Sequence, residues 1–195
     1  VDAACAIWYD PGAIDTWRHS RAYEIAEYLK VEDASWITIG DGRFGLDAQR
    51  LMLRGIRKVL PTDLCPDLLV EAQRRGFISE FRIENAEKLS FGDGEVDYLY
   101  IKEAYHHFPR PPIAFYEMLR VALRGIVMVE PFDRVSSPLR KFLTFLRSAR
   151  SGKKIHPDSR MYEAKDRNYV YSISVREVEK AALALDLPMI AFKTY

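Results

Sequence analysis

Apolar positions along this chain recur in two alternating rhythms. Short runs read as strands: WITI at 36–39, RKVLPT at 57–62, FRIE at 81–84, VDYLYI at 96–101 and IVMVEP at 126–131. Between them, apolar residues space out at helical intervals. Residues 13–30 carry Ile14, Trp17, Tyr23, Ala26 and Leu29 along one stripe. Gly45 to Arg54 predicts a helix closed by Gly55. A further helix starts at Pro66, a residue suited to the first helical position, and stops at Gly76. PIAFYEMLRVALRG, 112–125, predicts a helix closed by Gly125. Strand and helix thus alternate at least four times with short links. That pattern implies right-handed crossovers and an α/β fold, a doubly wound, mostly parallel sheet with helices on both faces.

After Pro131 the rhythm changes. Ser137 and Pro138 open a helix with Leu139, Phe142, Leu143 and Leu146 on one face. Residues 150–168 are polar and loop-like. Ser174 and Glu177 have the spacing of a capping box, opening a helix to about Asp186, and 189–195 reads as a strand. We expect one domain over 1–195, with 1–34 as an N-terminal helical lid and 132–172 as an inserted helix and loop on the substrate side. The opening VDAAC lacks a Met and the closing FKTY lies in a strand-like run, which reads as a trimmed chain.

Composition narrows the classes. At 195 residues, 48% hydrophobic and 29% charged, the chain can bury a sizeable core. A net charge of +1 gives no global argument for nucleic acid or membrane binding. No apolar run approaches the ~20 residues of a membrane span. Two cysteines, Cys5 and Cys65, supply no disulfide framework, so a reducing, cytoplasmic setting is expected. The four histidines do not combine with either Cys at a metal-ligand spacing, so no metal is expected.

Candidate chemistry concentrates after the first strand. Gly40, Gly42 and Gly45 form G-x-G-x-x-G between strand and helix, where backbone can approach a ligand at a helix N-terminus. Asp63 ends the next strand, 18 residues beyond Gly45, where a carboxylate can accept both hydrogen bonds of a ribose diol. A structural turn with a helix-flanking acid is the plainer alternative. Two ligands suit the arrangement: a dinucleotide such as NAD, or S-adenosylmethionine. Tyr98 and Lys102 have the Y-x-x-x-K spacing of short-chain dehydrogenases, but that pair needs a helix, and here it falls on a strand.

The order of motifs decides between them. ITIGDGRFG, VLPTDLCPDLLVEAQRRG, NAEKLSFGDGEVDYLYIKEAYHHFPRP and FYEMLRVALRGIVMVEP together resemble the class I S-adenosylmethionine-dependent methyltransferases, above all the small-molecule methyltransferase type 11 group. The resemblance covers roughly 36–131. It implies a methyltransferase with S-adenosylmethionine as cofactor. It places Gly40, Asp41, Gly42 and Gly45 at the methionine end, Asp63 and Leu64 at the ribose, and Asn85, Ala86 and Glu87 at the adenine. Lys102 joins this cofactor set, and Arg18, on a helix that overlies the cofactor in the family, would pair with the methionine carboxylate.

Three departures stand out. Thr38 replaces an acid that often supports the methionine ammonium, which passes that role to the Gly40 carbonyl or to Asp41. Phe44 stands where the third glycine usually falls, and Asn85 replaces a commoner Asp. His106 and His107 follow the fourth strand, where an imidazole could take a proton from a hydroxyl at neutral pH. Alternatively one packs under the cofactor loop and the other caps the next helix. Lys102 and Glu103 are pocket candidates beside them.

Residues 134–160 hold eight Lys or Arg against one acid, Asp158, an excess of +7. Such a run suits a phosphorylated or nucleotide-linked substrate, or simply a solvated helix face. Nothing in the sequence addresses the oligomeric state. The expected function is methyl transfer to a small-molecule acceptor, a hydroxyl of a sugar or related metabolite. The alternatives are an NAD-dependent oxidoreductase and a non-catalytic cofactor-binding relative.

Overall fold

The structure, a computed structural model, describes residues 17–131, 142–143, 145–146, 149–150, 171 and 173–194. Two compact units divide the chain, one running to Val129 and the other from Glu130 to Thr194.

The first unit holds five strands. They are β1 (Ser35–Ile39), β2 (Lys58–Asp63), β3 (Arg82–Ile83), β4 (Val96–Lys102) and β5 (Ala122–Val129). The helices are α1 (Trp17–Ala22), α2 (Glu24–Tyr28), α3 (Leu46–Leu53), α4 (Asp67–Arg74) and α5 (Pro111–Val121), and a helix lies between all consecutive strands except β3 and β4. A single turn of 3₁₀ helix, Tyr105–His107, sits between β4 and α5. All strand pairs are parallel, in the order β3-β2-β1-β4-β5. Strand order therefore reverses between β1 and β4, which opens a crevice at their carboxyl ends.

Period-2 alternation sends side chains to both faces of the sheet. Trp36, Tyr98, Tyr100 and Val127 share one face with Ala22, Tyr23 and Ala26 of the N-terminal helices and Ala48 and Leu51 of α3. Aromatic rings dominate this layer: Trp36 stacks on Tyr98 at 4.6 Å, and Tyr23 on Tyr100 at 5.6 Å. The intervening residues, Ile37, Ile39, Leu99 and Ile101, are buried on the other face, as are Met118 and Val121 of α5, which packs beside β5. A sheet covered on both faces needs apolar residues at consecutive positions, which is why its strands read as continuous runs.

Two boundaries depart from expectation. Helix α5 stops at Val121, and Gly125 lies within β5 opposite Tyr98 instead of capping a helix. Ala122 already pairs with Val96, and the register slips between Val96 and Tyr98, the kind of irregularity a strand glycine accommodates. Residues 189–194 form no strand, so the expected sixth strand is absent there. Exposed Met189, Ile190 and Phe192 explain why the segment looked like one.

In the second unit, α6 (Val175–Ala184) opens with the expected capping box. Ser174 Oγ accepts from the Glu177 N–H at 3.2 Å, and Glu177 Oε2 accepts from the Ser174 N–H at 2.8 Å. Residues 142, 143, 145 and 146 are helical. The helix start at Ser137 and Pro138, the polar stretch to 168 and nearly all of the basic residues between 134 and 160 lie outside the described residues, as do residues 1–16.

Candidate functional site

The glycine turn is shaped by the protein's own atoms. Gly40, Phe44 and Gly45 all adopt positive φ, 71°, 60° and 63°. A Cβ on Gly40 would come within 2.6 Å of the Ala104 Cβ, so the exits of β1 and β4 touch there. A Cβ on Gly42 would stand 2.7 Å from Asp63 Oδ2, and one on Gly45 would stand 2.9 Å from Ile78 Cγ2. The close approach that the three glycines permit is therefore first of all to Ala104, Asp63 and Ile78.

Asp63 joins this turn to the end of β2. Its Oδ2 accepts from the Gly42 N–H at 2.8 Å and its Oδ1 from the Cys65 N–H at 2.7 Å. Each carboxylate oxygen keeps a second lone pair, and the residue stays half-exposed. Leu64 beside it is 63% exposed, an apolar side chain left uncovered at a strand end. A carboxylate with acceptor capacity to spare next to an uncovered leucine suits a ribose carrying a flat base, so the residues present fit the nucleoside half of S-adenosylmethionine.

Asp41 serves a different purpose. It is 2% exposed, and its two oxygens accept from Thr38 Oγ1 at 2.8 Å, the Asp47 N–H at 3.0 Å and the Ala48 N–H at 2.9 Å. It thus caps α3 from five residues upstream, and Thr38 supplies a donor to it. Burial raises the Asp41 carboxyl well above its ordinary value and the neighbouring Asp47 carboxylate adds to this, while the donors pull the other way. Asp47 is also raised by burial, although Lys102 and a 2.5 Å hydrogen bond from the Tyr23 hydroxyl draw it down. Burial and the Asp47 charge push the Tyr23 phenol far up, so it remains a donor. Sequence reasoning missed Tyr23 and Asp47. An acid in the first turn of a helix is too common to stand out, and its partner lies 24 residues away.

At the third strand exit, Asn85 forms a tight turn. Its Oδ1 accepts from the Glu87 N–H at 2.9 Å and its carbonyl from the Lys88 N–H at 2.8 Å. Asn85 is exposed and Ala86 buried. Glu87 reaches Arg110, 23 residues away, through hydrogen bonds at 2.7 and 2.8 Å. Glu84, absent from the expected set, is buried between this turn and Asp63: it is held by Ser90, and its N–H donates to the Asp63 carbonyl at 3.0 Å.

At the fourth strand exit, Lys102 pairs with Glu103 at 3.2 Å. Glu103 takes φ +50°, a conformation non-glycine residues rarely adopt, and turns the chain into the 3₁₀ helix. His106 is half-buried and His107 exposed, with ring centroids 4.1 Å apart. Arg18 lies in α1, but its side chain is outside the described part. Tyr98 and Lys102 are both in β4, so their spacing creates no dehydrogenase pair. Among the described residues, no group of His, Cys, Asp and Glu could hold a metal ion, and no helix is long and apolar enough to cross a membrane.

A parallel sheet with its order reversed between β1 and β4, a glycine turn at that reversal and an acid closing β2 make up a Rossmann-like architecture, in which ligands bind beyond the carboxyl ends of the strands. Residues 37–129 match the family model described as "Methyltransferase domain". The match spans just under half of the chain and likens this segment to the methyltransferase domain family.

Solved structures agree on the fold. The YcgJ protein of Bacillus subtilis is 20% identical, with a TM-score of 0.60 over 86% of this chain and 67% of its own. The [4+2]-cyclase SpnF is 16% identical with a TM-score of 0.60, over 91% of this chain and 61% of its own. A Haemonchus contortus phosphoethanolamine N-methyltransferase, solved with phosphomonomethylethanolamine and S-adenosylhomocysteine, is 14% identical, with a TM-score of 0.56 over 86% of this chain and 36% of its own. A cyclase among these neighbours shows that the fold alone does not fix the reaction. No curated protein sequence matches the chain.

Proposed function

We propose that the domain transfers the methyl group of S-adenosylmethionine to a hydroxyl of a small-molecule acceptor. The observation that carries this reading is Asp63, a half-exposed carboxylate closing β2, bonded to the Gly42 N–H beside uncovered Leu64. Asp63 would hold the ribose diol, Leu64 would pack on the adenine, and Asn85 with Ala86 would bound its edge. Asp41 contributes by keeping the turn in shape, since its oxygens are already taken by Thr38 and α3. The methionine end then falls to the turn around Gly40 and Gly42, with Lys102 and Arg18 as cationic partners for its carboxylate.

The sulfonium of the cofactor supplies a methyl group already activated for displacement. What the protein adds is alignment and, for an oxygen acceptor, removal of a proton. His106 or His107 would take that proton at the fourth strand exit. The basic run between 134 and 160 favours an acceptor carrying phosphate.

Calorimetric titration tests the central assignment. S-adenosylhomocysteine should bind, and Asp63→Ala should weaken it by two charge-assisted hydrogen bonds, each worth about 1.5–3 kcal/mol. An analogue lacking both ribose hydroxyls should bind wild type and variant alike. Equal losses for both ligands would reassign Asp63 to loop support.

A further inference from the structure

We propose that Glu87 and Arg110 form a clasp that couples the adenine turn to the histidine turn, so that filling the nucleoside subsite sets where His106 and His107 stand. The inference rests on the reading of Asn85 and Ala86 as the adenine edge.

Glu87 spans two loops. Its Oε1 accepts from the backbone N–H of Arg110 at 2.7 Å, and its Oε2 accepts from Arg110 Nε at 2.8 Å with Nη2 at 2.6 Å. The Glu87 side chain is 7% exposed although Arg110 is 67% exposed, so the shielded end of the clasp is on the adenine side. With both oxygens bonded to one residue of a neighbouring loop, this carboxylate can position that loop.

Each end of the clasp leads somewhere defined. On one side the Glu87 N–H is tied to Asn85 Oδ1, so a base settling on Asn85 and Ala86 acts on the same tight turn. On the other side Arg110 immediately precedes α5, whose first two residues, Pro111 and Pro112, have no N–H to offer. The Arg110 N–H is therefore the donor through which a distant carboxylate can grip the start of α5. From Arg110 back to His107 the chain is Phe108-Pro109, with Phe108 extended at ψ 142°. Three prolines within 109–112 fix φ along this stretch. A stiff connector transmits displacement to the 3₁₀ turn, where His107 and Phe108 donate to the carbonyls of Ala104 and Tyr105.

The fold does not depend on this clasp alone. Glu117 Oε1 accepts from the Leu89 N–H at 2.9 Å, and Arg120 donates to the Phe91 carbonyl at 2.9 Å and to Asp93 at 2.7 Å. These bonds hold the β3–β4 connection along α5 whether or not Glu87 is present. Glu87 and Arg110 are positioning residues, acting on the reaction through the histidine turn.

The test follows the histidines directly. Protein labelled at histidine is titrated with adenosine and with S-adenosylhomocysteine, and the Cε1–H resonances of His106 and His107 are assigned through the single His→Gln variants. In the wild type, adenosine alone should shift both resonances. In Glu87→Gln and Arg110→Ala, adenosine affinity should stay within about threefold while the histidine shift falls to less than about a third, and Arg110→Lys should restore part of it. An undiminished shift in both variants overturns the clasp. So does an affinity loss of about tenfold or more in Glu87→Gln with normal binding by Arg110→Ala, which would make Glu87 a direct ligand. If the wild type binds neither nucleoside, the cofactor reading itself falls, and the clasp falls with it. If it binds both while the histidines do not respond, only the clasp is lost.

Discussion

Between Ile39 and Leu46 the chain leaves β1 through a turn whose acid, Asp41, faces inward. Asp41 is buried against three donors, and Asp63 is drawn in from the next strand by the Gly42 N–H. Between Lys102 and Pro111 it leaves β4 through a turn that keeps its two imidazoles at least partly exposed and is gripped from another loop by Glu87. The two turns touch at Gly40 and Ala104. One spends the buried Asp41 carboxylate to hold its own backbone still. The other leaves two imidazoles partly in water, where the proposed proton transfer would need one of them. The difference separates the stability of the site from its chemistry, and substitutions should separate them too.

The sharpest break is expected at Asp41. Asp41→Ala strands the N–H groups of Asp47 and Ala48 and the Thr38 hydroxyl in a buried place, costing about 2–4 kcal/mol of stability. Urea denaturation checks this, and a loss below about 0.5 kcal/mol would remove Asp41 from its structural role. At the other turn, His106→Gln and His107→Gln should leave urea midpoints and S-adenosylhomocysteine affinity nearly unchanged. The variant that removes the base should lower turnover on a hydroxyl acceptor by ~10²-fold. Normal turnover in both would point the search to Glu103 or to an acceptor that needs no base here.

Gly42→Val tests whether cradle and ribose acid are one unit. Its Cβ would displace Asp63 Oδ2, so S-adenosylhomocysteine affinity should fall at least about tenfold, with less loss of stability than Asp41→Ala. Unchanged affinity would make the turn purely architectural.

The smallest effects concern pH, and their signs are opposite. Asp41 is raised by burial, so its contribution is present below the unfolded value of about 3.9 and is lost as pH rises through the raised folded value. Glu71, on the outside of α4, is lowered to about 2 by hydrogen bonds from Arg74 and Arg75. Its contribution is present above an unfolded value of about 4.3 and is lost as pH falls through about 2. Urea midpoints across the acid range should show Asp41→Asn removing a decline with rising pH and Glu71→Gln removing a slighter decline with falling pH.

The amino-acid order by itself determined the parallel, two-faced sheet, because each strand run and each helix stripe is set by local periodicity and by glycine and proline at its ends. It also marked the Gly40–Gly45 turn and Asp63 as one region, since strand, turn, helix and strand-end acid occur in the order a nucleotide crevice demands. It did not determine what each acid does. Asp41 and Asp63 look alike in sequence, and only the folded chain sends one to the N-terminus of α3 and leaves the other half-open beside Leu64. Glu87 read as an adenine contact because it sits in the adenine turn, yet its partner is 23 residues away on another loop. Gly125 read as a helix stop because a glycine after a helical stripe normally is one, yet pairing with β4 claims Ala122 first. In each case the deciding interaction joins segments distant in sequence, and its energy exists only once the sheet has brought them together.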